Sequence, residues 1–484
     1  MVQEPTFKRF LPVAALLATG GLFFFSTGLT GIRPLVLVAP VPVLLIAQRV
    51  SRRAATLLAF LASCVGGLNL VGYLSRLAPT TFVVLSILLP ALAFALVVVA
   101  FRDAILHLRH PMAFLAFPVG WTAYEFLLST FSPHGTAGSI AYTQADVLPL
   151  IQIASLTGIQ GMTFVITLVP AGIAAGMLTR DRRHFLAIFL VVLIVGFGSL
   201  VYGWIRLSSD RSGESIRVGL VANDSTVRYY ESTDREMARQ SLHSYLRAAS
   251  VLAARGASII VLPEKIVGVT EAYDREILDS LSAFARNEHV AIVAGLNRIG
   301  VYPHRNYAVA LSADGSIQGE YDKAYPIPGL ETGYQTGTRI FTPKIAGIPS
   351  GIAICKDMDF PEWIRNYGAA RTQMMIVPAW DFSVDAWLHS RMAILRSAEN
   401  GFAMVRAANN GYLTVTDDAG RVVGEAASSD RSPVMLVCDV HPGTGRTFYA
   451  GAGNWFAWVN LAALLVLLVA VSRRLARRFS THPS

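Results

Sequence analysis

Residues 350–361 read SGIAICKDMDFP, an apolar run that ends on a cysteine, passes through an acidic pair and meets a proline. The run 351–355 reads as a buried strand, and the following FPEW places a proline where the first turn of a helix accepts it. A strand handing over to a helix across a short turn is the building unit of a layered α/β fold. The same unit recurs on both sides. IRVGLVAN (216–223), SIIVLPE (258–264) and VAIVAGL (290–296) read as strands, with helices at 231–255 and 272–288. NYAVALS and GSIQGEYDK read as a hairpin. QMMIVPAW, a helix at 385–399, AMVRAAN, GYLTVTD and PVMLVCDV complete the series. The pattern predicts one α/β domain with strands, crossover helices and hairpins.

This domain sits in a chain of another character. Over 484 residues the sequence is 53% hydrophobic and 15% charged, against about 25% charged for a soluble domain. Residues 10–205 and 455–471 carry few carboxylates, whereas 210–445 has ordinary charge density and is long enough for its own core. The division predicts a membrane domain at 1–207, a globular domain at 208–452 and a last helix with a basic tail at 453–484. The net charge of +9 does not point to nucleic acid, because the basic residues bunch in short gaps between apolar runs. Three scattered cysteines, Cys64, Cys355 and Cys438, cannot make a disulfide framework, and no Cys/His spacing predicts a metal site.

A helix needs about 20 apolar residues to cross a bilayer. Candidate spans lie at 10–29, 34–48, 54–75, 82–101, 112–131, 158–178 and 185–205, with an eighth at 455–471. The second is short and holds Pro34, Pro40 and Pro42. With the N-terminus in the cytoplasm, one side receives Lys8, Arg9, Arg49, Arg52, Arg53, Arg102, Arg109, Arg180, Arg182, Arg183, Arg473, Arg474, Arg477 and Arg478. The short loops on the other side receive only Arg33 and Arg76. This bias predicts cytoplasmic termini and an extracytoplasmic globular domain. The gap at 132–157 has no Lys or Arg and reads as an outer loop at the interface.

Three polar residues close buried strands: Glu264 after SIIVLPE, Lys323 after GEYDK and Cys355 after GIAIC. Strand ends are where open α/β sheets place their chemistry. A carboxylate, an ammonium and a thiol together suit acyl transfer. The carboxylate takes the thiol proton, and the cation with backbone N–H groups holds the tetrahedral oxyanion. His304, His389 and His441 read as structural, since this set needs no imidazole.

LPE at 262–264, YDKAYPIPGLE at 321–331 and ICKDMDFPE at 354–362 resemble the Glu-Lys-Cys signature of the carbon–nitrogen hydrolase (nitrilase) superfamily. Seven spans before such a domain and one after it resemble that superfamily's membrane branch, the apolipoprotein N-acyltransferase family. FPVGWTAYEF, with Trp121 and Glu125, and HSRMAILRSAENGFAMVRAANNG (389–411), with Arg396, Glu399, Arg406 and Asn409, are also similar to it. The resemblance implies a polytopic bundle of about eight transmembrane helices carrying a nitrilase-like αββα sandwich. It implies Glu264 as general base, Lys323 as oxyanion cation and Cys355 as nucleophile. It further implies the backbone N–H of Lys356 in the oxyanion hole and supporting roles for Glu331 and for Asp357, which stands where the acyltransferases have Glu. Tyr229, Tyr230 and Trp380 fall where substrate-contacting residues are expected.

The implied activity needs no cofactor and no metal. It would move a fatty acyl group from a phospholipid, by resemblance phosphatidylethanolamine, through a Cys355 thioester to the N-terminal amine of a diacylglyceryl-modified apolipoprotein. The implied location is a bacterial cytoplasmic membrane, with membrane lipid and no nucleic acid as partners. CKDMDFPE also resembles soluble amidases, so the alternative expectation is a membrane-tethered amidase or nitrilase that uses water as its second nucleophile.

Overall fold

The computed structural model describes residues 7–209, 213–431 and 433–480, with the side chains of 7–9, 227 and 478–480 outside the description. Lys8, Arg9 and Arg478 of the basic pattern are therefore described by backbone alone. By contacts the chain divides into two compact units. One comprises 1–131, 138–205 and 454–484, and the other comprises 132–137 and 206–453.

In the first unit, six helices among the described residues are long and apolar enough to cross a membrane. They are Arg52–Leu74, Thr80–Leu108, Pro111–Phe131, Ile159–Leu178, Arg182–Leu207 and Trp455–Arg477. A further helix, Phe7–Ser26, contributes a shorter apolar run. The expected span at 34–48 is not one helix. It is a 3-10 turn, Arg33–Leu37, followed by the seven-residue helix Val41–Ala47. Pro40 and Pro42 lack the N–H groups that a continuous helix would need there. Aromatic rings knit the bundle, with Phe94 meeting Phe23, Phe117 and Trp121 edge-on at 5.3, 6.1 and 6.0 Å between centroids.

The gap at 132–157 is not one loop either. Residues 138–157 fold into the short helices Ile140–Gln144, Leu148–Ile151 and Ala154–Thr157 of the first unit. Glu125 anchors this stretch: its buried carboxylate accepts from Trp121 Nε1 (3.0 Å), Ser139 Oγ (2.6 Å), Ile140 N (2.8 Å) and Thr163 Oγ1 (2.6 Å). A carboxylate inside a membrane bundle is costly unless it is satisfied in this way. Residues 132–137 belong instead to the second unit, where Thr136 donates from N and Oγ1 to the carbonyl of Asp359 (3.0 and 2.9 Å).

The second unit has two sheets. The first runs in the order Val434–Val440, Ile216–Ala222, Ile259–Val261, Ala291–Arg298, Arg305–Leu311, Ile317–Asp322, with the short strand Gly268–Val269 also on Ala291–Arg298. The second runs Val422–Ala427, Tyr412–Thr416, Ala403–Asn409, Met374–Trp380, Ile348–Ile352, Lys344–Ile345. The central strands of each sheet are parallel, with Val218 opposite Ile259 and Ala403 opposite Met374. Parallel strands are apolar on both faces because both faces are covered. Here one buried layer, with Leu220, Val261, Ile352, Ile376 and Val405, fills the space between the sheets. A second layer packs helices Arg235–Ala254 and Asp274–Glu288 on the outer face of the first sheet. Helices Pro361–Ala369 and Ala386–Asn400 accompany the second sheet. The architecture is an αββα sandwich, and the hairpin expected at NYAVALS and GSIQGEYDK is present as Arg305–Leu311 paired with Ile317–Asp322.

Candidate active site

Glu264 lies on a turn held from both sheets. Leu262 N donates to Val293 O (2.9 Å), Glu264 N to Ala379 O (3.2 Å) and Ile266 N to Gly295 O (2.9 Å). Gly295 is glycine for want of space, because a Cβ there would lie 2.5 Å from Glu264 Cα. The side chain of Glu264 is buried and meets Lys323, whose Nζ is 2.8 Å from Oε1.

Lys323 follows the strand Ile317–Asp322 by one residue and is wholly buried. Its Nζ also lies 3.0 Å from Glu331 Oε2. Asn306, from the neighbouring strand, joins the two carboxylates by donating from Nδ2 to Glu264 Oε1 (2.5 Å) and Glu331 Oε1 (2.7 Å). Glu331 further accepts from Ile327 N (2.7 Å) and pairs with Lys265 Nζ (2.6 Å). Burial works against both charges. The carboxylates of Glu264 and Glu331 nonetheless hold the Lys323 ammonium well above its ordinary range. Likewise burial raises Glu331, but Lys323 and Lys265 outweigh it and hold the carboxyl at about 2.

Cys355 opens the 3-10 turn Cys355–Asp359, separated by two residues from the end of the strand Ile348–Ile352 in the second sheet. Its φ of +44° puts it in the left-handed region, a conformation that costs a non-glycine residue on the order of 1 kcal/mol or more and concentrates at functional turns. The Sγ lies 3.3 Å from Trp380 O and donates to it. Burial pushes its pKa up, the Glu264 and Asp381 charges push further, and Lys323 and Arg406 pull it back. Glu264 and Lys323 thus both act on the sulfur electrostatically.

Asp357 fastens the two turns together. One carboxylate oxygen accepts from Ala324 N (3.1 Å) and Tyr325 N (2.9 Å), just past Lys323. The other accepts from Ile354 N (2.9 Å), just before Cys355, and from Tyr321 Oη (2.8 Å). Burial is nevertheless the largest influence and raises this carboxyl to about 6. The side chain of Lys356 points to Asp359 Oδ2 and His134 Nδ1, each at 3.5 Å, and its backbone N–H lies in the first turn after the sulfur.

The three aromatic candidates separate. Tyr230 and Trp380 meet edge-on with centroids 4.3 Å apart, and Trp380 carries the carbonyl that receives the thiol. Tyr229 instead lies under the Arg228 guanidinium, 4.9 Å from its ring centroid. Sequence reading did not single out Asn306, Lys265, Gly295 or Asp381, the buried ion-pair partner of the Arg406 named within 389–411. Lys265 had a signal, since it directly follows Glu264. Asn306 had none, because an Asn inside a strand pattern reveals its neighbours only after folding. His389 is held between Asp359 (3.8 Å) and Asp385 (3.5 Å), a structural setting. Among the described residues no cluster of His, Cys, Asp and Glu is arranged to hold a metal ion.

Comparison with known proteins places this geometry. Residues 19–172 match the apolipoprotein N-acyltransferase N-terminal domain, and residues 217–436 match the carbon–nitrogen hydrolase domain. An apolipoprotein N-acyltransferase from Geobacter metallireducens is 26% identical over 504 residues, covering 94% of both chains. Along nearly its whole length the chain is similar to apolipoprotein N-acyltransferases. A second such protein, from Gloeobacter violaceus, is 27% identical over 74% of this chain and 72% of its own. Among solved structures, an amidase from Nesterenkonia sp. superposes with a TM-score of 0.41 and 20% identity, covering 47% of this chain and 91% of the amidase. By the two family matches, this acyltransferase joins a membrane domain to a carbon–nitrogen hydrolase domain.

Proposed function

We propose that this acyltransferase transfers a fatty acyl group from a phospholipid, phosphatidylethanolamine by family resemblance, to the N-terminal amine of a diacylglyceryl-cysteine on an apolipoprotein. Cys355 is the nucleophile, Glu264 the general base and Lys323 the oxyanion cation. In the first half-reaction Glu264 takes the thiol proton and Sγ attacks the ester carbonyl. Lys323 Nζ and the Lys356 backbone N–H stabilise the oxyanion. The ester C–O bond breaks, the proton passes from Glu264 to the departing alkoxide, and lysophospholipid leaves a thioester on Cys355. In the second half-reaction the acceptor's neutral amine attacks the thioester. Glu264 takes the amine proton, the C–S bond breaks, and the thiol is restored as the amide leaves.

The observation that carries this reading is the buried Glu264–Lys323–Glu331 network beside a thiol held on a left-handed turn, in a chain that matches acyltransferases along nearly its whole length. The domain division at 207/208 and 452/453, cytoplasmic termini, and a catalytic domain on the outer side of a bacterial cytoplasmic membrane belong to the same proposal. The division rests on the contrast in charge density along the chain, and the orientation on the bias of basic residues. The testing experiment is mass spectrometry of lipoprotein N-termini from cells lacking this protein. The proposal expects free α-amines that regain the amide-linked chain when the gene is restored. N-termini that stay acylated, with no other N-acyltransferase gene in the cell, would contradict it.

A further inference from the structure

Next to Glu264 stands a second buried lysine. Lys265 is 7% exposed and has a φ of +53°. Its Nζ lies 2.6 Å from Glu331 Oε1, 4.6 Å from the Tyr334 ring centroid and 5.4 Å from that of Tyr230. Lysine is rarely buried to this degree unless it is paired. The pairing is asymmetric in a useful way. Glu331 receives Lys265 and Asn306 on Oε1, and Lys323 and the Ile327 N–H on Oε2. Two carboxylates and two ammoniums therefore balance beside the thiol. The Asp381–Arg406 pair, which also acts on the sulfur, is balanced within itself.

We infer that Lys265 is a positioning residue for the acyl transfer: by holding Oε1 of Glu331 it leaves Lys323 shared with Glu264 and keeps the cluster neutral where the thiolate and the oxyanion must form. The inference rests on the assignment of Cys355 as nucleophile. Without the Lys265 charge, two carboxylates compete for one ammonium. Lys323 is then drawn toward Glu331, and the excess negative charge opposes any further anion nearby. The Lys265–Glu331 pair also ties down the chain immediately after Glu264. Both effects act on the base and the sulfur through other groups, since the Lys265 ammonium meets Glu331, Tyr334 and Tyr230 among the described residues.

The test uses the full-length protein in nanodiscs of phosphatidylethanolamine and phosphatidylglycerol. Cys64 and Cys438 are replaced by Ser so that Cys355 is the single thiol. Two readouts are taken across pH for the parent, K265M and K265R: the rate of Cys355 alkylation by iodoacetamide, and the rate of acyl-thioester formation from phospholipid. In K265M the alkylation midpoint should rise by roughly one pH unit, with acylation near neutral pH falling about tenfold. K265R, which keeps the charge, should stay near the parent midpoint. A K265M protein with the parent's midpoint and acylation rate overturns the inference. So does one whose melting temperature falls while its midpoint stays fixed, because that is a packing role. If K265M does not fold, K265Q carries the same comparison. A parent protein that forms no thioester at Cys355 overturns the nucleophile assignment itself, an outcome distinct from an unmoved midpoint in K265M.

Discussion

Replacing Glu331 by glutamine should be the most damaging single change of charge in the candidate site. The carboxylate receives Lys323 at 3.0 Å, Lys265 at 2.6 Å, Asn306 Nδ2 at 2.7 Å and the Ile327 N–H at 2.7 Å, all away from solvent. E331Q keeps the shape and removes the charge, leaving two buried ammoniums to share Glu264. Two routes give the magnitude. Breaking a buried pair from one side costs about 3–5 kcal/mol. Independently, the carboxyl is held at about 2 against an ordinary 4.5, and at 1.36 kcal/mol per pH unit that difference is ~3 kcal/mol. For a domain of this size about 3 kcal/mol corresponds to a melting temperature lower by roughly 6–12 °C.

The same coupling fixes a pH dependence. A carboxyl whose folded value is depressed contributes stability above its unfolded value, and that contribution is lost as pH falls from about 4.5 toward 2. The parent should therefore lose melting temperature more steeply over that window than E331Q. Scanning calorimetry or thermal fluorescence in detergent measures both. An E331Q protein that melts within about 2 °C of the parent at neutral pH and shows the same acid slope would refute the reasoning.

Three further outcomes follow from the geometry. K323M leaves Glu264 and Glu331 facing Lys265 alone and removes the oxyanion cation, so single-turnover acylation should fall about 10²–10³-fold; a rate within threefold of the parent contradicts that role. G295A pushes a methyl group against Glu264 Cα and the Pro263 carbonyl; overpacking of this kind costs about 1–3 kcal/mol, and the variant should lose both melting temperature and acylation, whereas parent values on both would show that the turn has slack. For His389, burial opposes protonation, but Asp359 and Asp385 raise it from 6.5 to about 10. Its contribution to stability is complete below 6.5 and lost as pH rises through about 10. The parent should therefore melt at lower temperature from neutral pH toward 10, and H389Q should show a shallower slope.

The elements of the α/β domain were legible because each strand is a continuous apolar run bounded by turn residues, as in VAIVAGL and GYLTVTD. The strand Val422–Ala427 was not, since VVGEAA is half exposed and holds a glycine and a glutamate. Glu264, Lys323 and Cys355 stood out because each closes a strand-like run in the sequence, which is a feature of local sequence. Their surroundings were hidden for the opposite reason. Asn306, Gly295 and the Asp381–Arg406 pair matter through contacts between strands far apart in the chain, and no local pattern records those. In the membrane unit, hydropathy located the long helices but not the division of 132–157. That depends on where two small groups bond: the Glu125 carboxylate draws in Ser139 and Ile140, while the Asp359 carbonyl takes Thr136. At 34–48 the prolines were visible, and they broke the span into a 3-10 turn and a short helix.

The central claim is that Cys355 carries the acyl group. Purified protein incubated with phosphatidylethanolamine bearing an isotopically labelled acyl chain, quenched in acid and digested, reports this directly by mass spectrometry. The account predicts a labelled, hydroxylamine-sensitive thioester on the peptide containing Cys355. The label should be absent from C355A and discharged from the parent as an amide when a diacylglyceryl-cysteine peptide is added. Label on another residue, or C355A protein that still acylates the peptide, would contradict it; discharge only to free fatty acid would favour the amidase-like alternative in which water is the acceptor.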